Sequence, residues 1–258
     1  MLVGGRIVWP QTVASLLYVN NYYQAIWGDP NTGLSHTWSL GVEEQFYILW
    51  PVLFVSLHGN PRRLGAWLMG AIVLVWMYRC GLHFYGVSPG YIYEAFDTRA
   101  DHLMVGCLLA VALWNRWSPA FWDMVCSSTV LPAVTLGALA GSTVLALRIP
   151  GYRETVGFVV EPLLVGVLIV QWIAMAESAA WGWTNWAPVR YLGRISYSIY
   201  LYQQITPRLV ERVAGTQSFT TSLAVNTAVV IGVASASYWI IESPFLRIKD
   251  RIGRRVHG

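Results

Sequence analysis

The stretch "SHTWSLGVEEQFYILWP", residues 35–51, sets His36, Glu43 and Glu44 in or beside a run of apolar side chains. An ionisable group at membrane depth is costly, so it normally faces a bundle interior or a wet cavity and marks function. On a helix that includes His36, Glu43 lies seven residues on, two turns away on the same face. Glu44 is rotated by roughly 100° from Glu43 and meets a different partner. A histidine with a carboxylate two turns below suits general-base chemistry, the carboxylate fixing the tautomer or stabilising the imidazolium. The same groups serve equally well as an interhelical clamp, and spacing leaves both readings open for His36. Of the two glutamates, one reads as functional and one as structural.

A second cluster is "FDTRADH", residues 96–102. Asp97 and Asp101 are four apart and share a helix face, with Arg99 turned away from them. Two acids flanking an arginine suit a polyhydroxylated acceptor or a phosphate, but acids at a helix start are also ordinary caps. A third cluster is "YLGRISYSIYLYQQIT", residues 191–206, where Ser196, Tyr200 and Gln203 form one polar stripe flanked by Tyr197. Such a stripe in a span lines a cavity or a helix interface. Glu242, in "YWIIESPFLR", either pairs with Arg247 at the surface or reaches into a cavity. Arg79 either snorkels or meets a carboxylate, and Glu161 stands before a proline inside a span.

The chain that must position these groups has 258 residues, 55% hydrophobic and 12% charged, with mean hydropathy +0.47. Soluble domains are about one quarter charged, so this composition reads as an integral membrane protein. Fourteen Trp and fourteen Tyr suit the membrane–water interface. The net charge of +4 is spread over short loops with no basic stripe, which argues against a nucleic-acid partner. Cys80, Cys107 and Cys126 have neither metal-ligand nor disulfide spacing and read as packed thiols. No metal site is expected, and neither a glycine-rich phosphate loop nor a Gly-x-Ser-x-Gly elbow occurs.

The expected fold is all-α, a polytopic transmembrane helical bundle of about seven spans. They are drawn at 38–57, 64–85, 100–114, 124–147, 156–176, 191–206 and 222–241, within a single membrane domain over 1–258. With the tail 243–258 cytoplasmic, that side holds Arg62, Arg63, Arg116, Arg190, Arg194, Arg247, Lys249, Arg251, Arg254 and Arg255. The other side holds Arg99, Arg148, Arg153, Arg208 and Arg212, so the basic bias favours a cytoplasmic C-terminus. Residues 1–35 contain too short an apolar run to span and read as a remnant of a longer N-terminal region.

"SHTWSLGVEEQFYILWP" closely resembles the signature of the acyltransferase family 3 membrane proteins, which acylate sugars and other surface molecules in bacteria. "FDTRADHLMVGCLLA", "YLGRISYSIYLYQQ" and "SYWIIESPFLR" resemble further family stretches in the same order. The resemblance runs from about Leu16 to Arg247. It implies transfer of an acyl group, often acetyl, from acyl-CoA to a hydroxyl of a carbohydrate-like acceptor in a bacterial inner membrane. Acyl-CoA is then a co-substrate, with no bound cofactor. It places motif residues on His36, Trp38, Ser39, Glu43, Glu44, Asp97, Arg99, Asp101, Ser196, Tyr197, Tyr200 and Glu242. It also implies an upstream span carrying a basic residue and a catalytic histidine, which has no counterpart in residues 1–35. Where many members have "YLWH", this chain has "YLYQ", and Gln203 hydrogen-bonds but carries no proton.

On this reading His36 and Glu43 or Glu44 orient and polarise the acceptor hydroxyl. Trp38, Ser39, Asp97, Arg99 and Asp101 shape the acceptor or donor site. Ser196, Tyr197, Tyr200, Gln203 and Glu242 line the cavity. The alternatives are an exporter of an acylated sugar or lipid, using the same charges for binding or proton coupling, and a non-catalytic remnant of the fold.

Overall fold

The structure, a computed structural model, describes residues 2–3, 6–7, 9–214 and 218–248. The basic residues Lys249, Arg251, Arg254 and Arg255 of the expected cytoplasmic tail lie outside the described residues. Two compact units divide the chain, Met1–Trp183 and Thr184–Gly258.

The first unit opens with a two-residue antiparallel pair, β1 (Leu2–Val3) and β2 (Arg6–Ile7). Among the described residues nine α-helices follow: α1 (Trp9–Leu16), α2 (Asn20–Trp27), α3 (Trp38–Leu57), α4 (Pro61–Phe84), α5 (Pro89–Glu94), α6 (Phe96–Trp114), α7 (Pro119–Val125), α8 (Leu131–Arg148) and α9 (Phe158–Met175). Gly28 ends α2 with φ +82°, in the left-handed region open to glycine, and its N–H caps the Gln24 carbonyl at 2.7 Å. Asn60 caps α4, accepting from the Arg63 N–H at 3.1 Å, and Pro61 takes the first-turn position where no N–H is needed.

Among the described residues, five helical segments are long and apolar enough to cross a membrane: Ser35–Leu57, Pro61–Phe84, Leu131–Arg148, Arg153–Met175 and Phe219–Ile248. α6 is the right length, about 28 Å at 1.5 Å per residue, but carries Asp97, Arg99 and Asp101 in its first two turns. The helices bury little hydrocarbon inside the chain. On α3, Ile48, Val52 and Val55 are two-thirds or more exposed, the inside-out pattern that a lipid solvent permits.

α4 packs most extensively on α6. Leu64, Leu68 and Ile72 recur every four residues as the buried stripe of α4, which continues to Arg79. The stripe of α6 runs from Val105 back to Asp101 and Thr98. The polar ends of the two stripes therefore meet. α3 approaches α2 and the turn before it closely at Gly41, where a Cβ would lie 2.9 Å from Asn21 Oδ1 and 2.9 Å from the Tyr18 carbonyl. Only glycine permits that approach.

Two of the expected spans are interrupted. The apolar run 124–147 is broken at 126–130, between α7 and α8. There Ser127 donates its hydroxyl to the Met124 carbonyl at 2.8 Å, and Ser128 accepts from the Val130 N–H at 3.3 Å. Serine side chains compete with helical bonding in this way. The run 191–206 belongs to the second unit and is not one helix. It divides into α10 (Ala187–Arg194), α11 (Ser196–Tyr202) and the start of α12 (Thr206–Ala214). Pro207 is the second residue of α12, in the first turn where no N–H is needed. α13 (Phe219–Ser237) then leads into a π-helical turn, Tyr238–Glu242.

Candidate active site

His36 lies in a tight 3-10 turn, Ser35–Thr37, which runs directly into α3. The turn is fastened by the amides of α1 and α2. Asn20 donates to the Thr37 hydroxyl at 2.8 Å and Gln24 to the Ser35 carbonyl at 2.8 Å. The Thr32 hydroxyl donates to Gln11 Oε1 at 2.5 Å, and the Ser35 hydroxyl to Asp29 Oδ1 at 2.5 Å. Gln11, Asn20 and Gln24 are nearly or wholly buried. Buried amides must be hydrogen-bonded, so the segment before Ser35 is a structural clamp on the His36 turn. Its signal in the sequence is the pair Asn20 and Gln24, four apart and so on one helix face.

One turn further, Trp38 meets Tyr93 at 5.1 Å between ring centroids, and Tyr93 meets Phe158 at 5.8 Å. The Arg99 guanidinium stands over all three rings, 5.7 Å from Trp38, 5.2 Å from Tyr93 and 4.1 Å from Phe158. Cation–π attraction holds it there. Among the described residues Arg99 has no hydrogen bond or ion pair, and its Nη1 is buried without a partner. A guanidinium held on aromatic faces with an unpartnered donor can receive an anion or a developing oxyanion.

Behind it lies a second charged group. Arg79 Nη2 pairs with Asp101 Oδ2 at 2.9 Å, and Nη1 donates to Oδ1 at 3.1 Å. Arg79 also donates to the Thr98 carbonyl at 2.7 Å and the Glu154 carbonyl at 3.0 Å. The side chains of Arg79 and Asp101 are 0% and 2% exposed. Asp101 Oδ1 lies 2.9 Å from His102 Nδ1, and the His102 ring stands edge-on to Phe158 at 5.6 Å. At the rim, His83 pairs with Glu154 at 3.0 Å.

Asp97 does not act with Asp101. It accepts from the Tyr22 hydroxyl at 3.2 Å and the Tyr91 hydroxyl at 3.0 Å. Burial, with the Asp97 carboxylate beside it, pushes the Tyr22 phenol up to about 12. Neither Asp97 nor Thr98 caps α6: the N-cap position is Ala95, and the Thr98 hydroxyl donates back to the Ala95 carbonyl at 2.9 Å. Glu43 and Glu44 are half-buried on α3, with no hydrogen bond or ion pair among the described residues. Ser39 is half-buried in the first turn of α3.

Glu94 sits at the end of α5, outside the spans. Burial, and then the Asp29 carboxylate, push its carboxyl up from 4.5 to about 7. A raised folded-state pKa means that protonation favours the fold. That stabilisation is complete below about pH 4.5 and is lost as pH rises through about 7. The expected result is a melting temperature that falls across this window and a flatter profile in Glu94→Gln, read by thermal unfolding in detergent against pH.

In the second unit, Ser196, Tyr197 and Gln203 are exposed and Tyr200 is half-buried. Ser196 and Tyr200 lie on α11, while Gln203 follows its last residue. The buried polar group on α11 is Ser198, which donates its hydroxyl to Glu242. Glu242 thus has a partner in the unit's interior, beside the core of Ile195, Ala234 and Tyr238.

The structure brings Trp38 and Arg99 together and sets His102 and Arg99 against one ring. Phe158 and Tyr93 complete the site and carry no motif spacing; Arg79 meets a carboxylate, Asp101, and His102 ends the second cluster, three residues from Arg99.

The chain matches known proteins over nearly all its length. It is 29% identical over 252 residues to the peptidoglycan O-acetyltransferase OatA of Listeria monocytogenes, covering 90% of this chain and 39% of that protein. It is 27% identical over 256 residues to YrhL of Bacillus subtilis, covering 90% and 39%. It is 26% identical over 212 residues to the O-acetyltransferase OatA of Staphylococcus aureus, covering 74% and 33%. The chain therefore spans well under half the length of these relatives. No solved structure matches it. The family profile described as "Acyltransferase domain" matches residues 1–242, and with the motifs and membrane helices above it shows that the chain belongs to this acyltransferase family.

Proposed function

We propose that the protein transfers an acyl group, acetyl in the first instance, from acyl-CoA to a hydroxyl of a carbohydrate-like acceptor at a bacterial inner membrane. The family match over residues 1–242 and the peptidoglycan O-acetyltransferase name of the Listeria relative support the reaction class and the acceptor. The observation that carries the site is the Arg99 guanidinium, held on Trp38, Tyr93 and Phe158 with a buried, unpartnered Nη1. Acyl transfer from a thioester develops negative charge on the carbonyl oxygen, and a preorganised cation in a water-poor site stabilises it. Such a site is costly to build for an ion that is merely structural.

In this mechanism Arg99 receives the thioester carbonyl. Trp38 and Ser39 shape the entrance above it, and Asp101 holds the neighbouring imidazole in place. Asp97 orders Tyr22 and Tyr91 at the rim. His36, with Glu43 or Glu44, orients the acceptor hydroxyl. The family resemblance implies substrate-binding roles for Ser196, Tyr197, Tyr200, Gln203 and Glu242 of the second unit, and the proposed C-terminus is cytoplasmic. The donor and the acceptor are substrates, and no bound cofactor or metal is invoked.

The experiment is to incubate membranes containing the protein with acetyl-labelled acetyl-CoA and a peptidoglycan-type glycan. The proposal expects alkali-labile label on the glycan. Uptake or export of an acylated glycan with no new ester label would replace this reading with transport.

A further inference from the structure

We propose that the His102 imidazole is the base that takes the proton from the acceptor hydroxyl, a step that rests on the acyl-transfer reading above. Four observations converge on it. Arg99 and His102 are three residues apart on α6, so their side chains are neighbours. Both pack on the Phe158 ring, the guanidinium carbon 4.1 Å and the imidazole 5.6 Å from its centroid. Oxyanion receptor and base therefore share one aromatic ring.

The second observation is tautomeric. Asp101 Oδ1 is 2.9 Å from His102 Nδ1, and Asp101 is locked as a carboxylate by the two-point Arg79 pair. A carboxylate accepts, so Nδ1 carries the hydrogen and Nε2 keeps its lone pair. The third is freedom: among the described residues Nε2 has no hydrogen-bond partner. The fourth is access. The His102 side chain is 23% exposed, whereas His36 is buried at 6%. The charged groups facing the imidazole are Asp101, Arg99 and Arg79.

The step balances without further reagents. The acceptor O–H gives its proton to Nε2, and its oxygen bonds to the thioester carbonyl carbon. Charge on the carbonyl oxygen is met by Arg99. The C–S bond then breaks, and the departing CoA sulfur takes the proton back from Nε2. The products are the ester and free CoA thiol, and Asp101 stabilises the imidazolium in between.

The test uses the full chain in membranes with acetyl-labelled acetyl-CoA and the glycan. His102→Gln is expected to lower ester formation ~10²–10⁴-fold, the range for losing a positioned base, with an unchanged melting temperature. His102→Gly is expected to regain part of its rate with added imidazole, the rescue following the neutral fraction of the added base. Near-wild-type transfer by His102→Gln would overturn the assignment and leave the acyl-transfer reading standing. A loss that imidazole does not restore would make His102 structural and also overturn it. Wild-type membranes that transfer no label would overturn the acyl-transfer reading itself, and this step with it.

Discussion

Arg99→Gln is expected to abolish most acyl transfer while leaving the fold in place. Glutamine keeps a hydrogen-bond donor of similar reach but loses the charge that meets the oxyanion. Removing one preorganised oxyanion donor costs ~10²–10³ in turnover. Arg99 makes no ion pair among the described residues, so its removal leaves no buried carboxylate unpaired. The lost cation–π contacts with Trp38, Tyr93 and Phe158 are offset by relief of desolvation. Ester formation should therefore collapse at constant substrate binding, and the melting temperature should stay within a few degrees of wild type. Arg99→Lys should retain only part of the activity, because an ammonium lacks the planar fork that stacks on Phe158.

The second large effect is on stability. Asp101→Leu leaves the wholly buried Arg79 guanidinium without its carboxylate. Breaking a buried pair by removing one partner costs about 3–5 kcal/mol, chiefly from the uncompensated charge. The variant should unfold at a markedly lower temperature or fail to accumulate in membranes. Replacing both members, Arg79→Met with Asp101→Leu, should recover much of that loss, since apolar replacements of buried pairs are often neutral. The double variant should nevertheless transfer poorly, because His102 loses the acceptor that fixes its tautomer. Thermal unfolding and label transfer on the single and double variants separate the two roles of Asp101.

The membrane class and the positions of most helices were legible in composition and apolar runs, because lipid solvent demands long apolar helices. Boundaries set by local chemistry were not. The run 191–206 has the length of a span, yet it is divided at Ile195 and again at 203–205; the run 124–147 is divided where Ser127 and Ser128 bond backbone groups. At the site, the motifs drew attention to Arg99 and Asp101 but not to what they touch. Asp97 and Asp101 share a helix face by spacing, yet they serve different partners, Tyr22 and Tyr91 against Arg79 and His102. Phe158 and Arg79 come from elements 59 and 20 residues away from Arg99, a pairing set by the packing of α4, α6 and α9 rather than by any local pattern. Ser198 was hidden for a related reason: the stripe at Ser196, Tyr200 and Gln203 is the visible periodicity, while the residue that buries its hydroxyl against Glu242 lies off it.

In the proposed mechanism acyl transfer takes place at the Arg99 platform over Phe158. The most direct measurement compares wild type and Arg99→Gln in the same membranes, counting alkali-labile glycan label from acetyl-CoA per folded molecule. The expected result is label with wild type and a loss of ~10²–10³-fold with Arg99→Gln at an unchanged melting temperature. Equal labelling by the two proteins, or none by wild type, would contradict it.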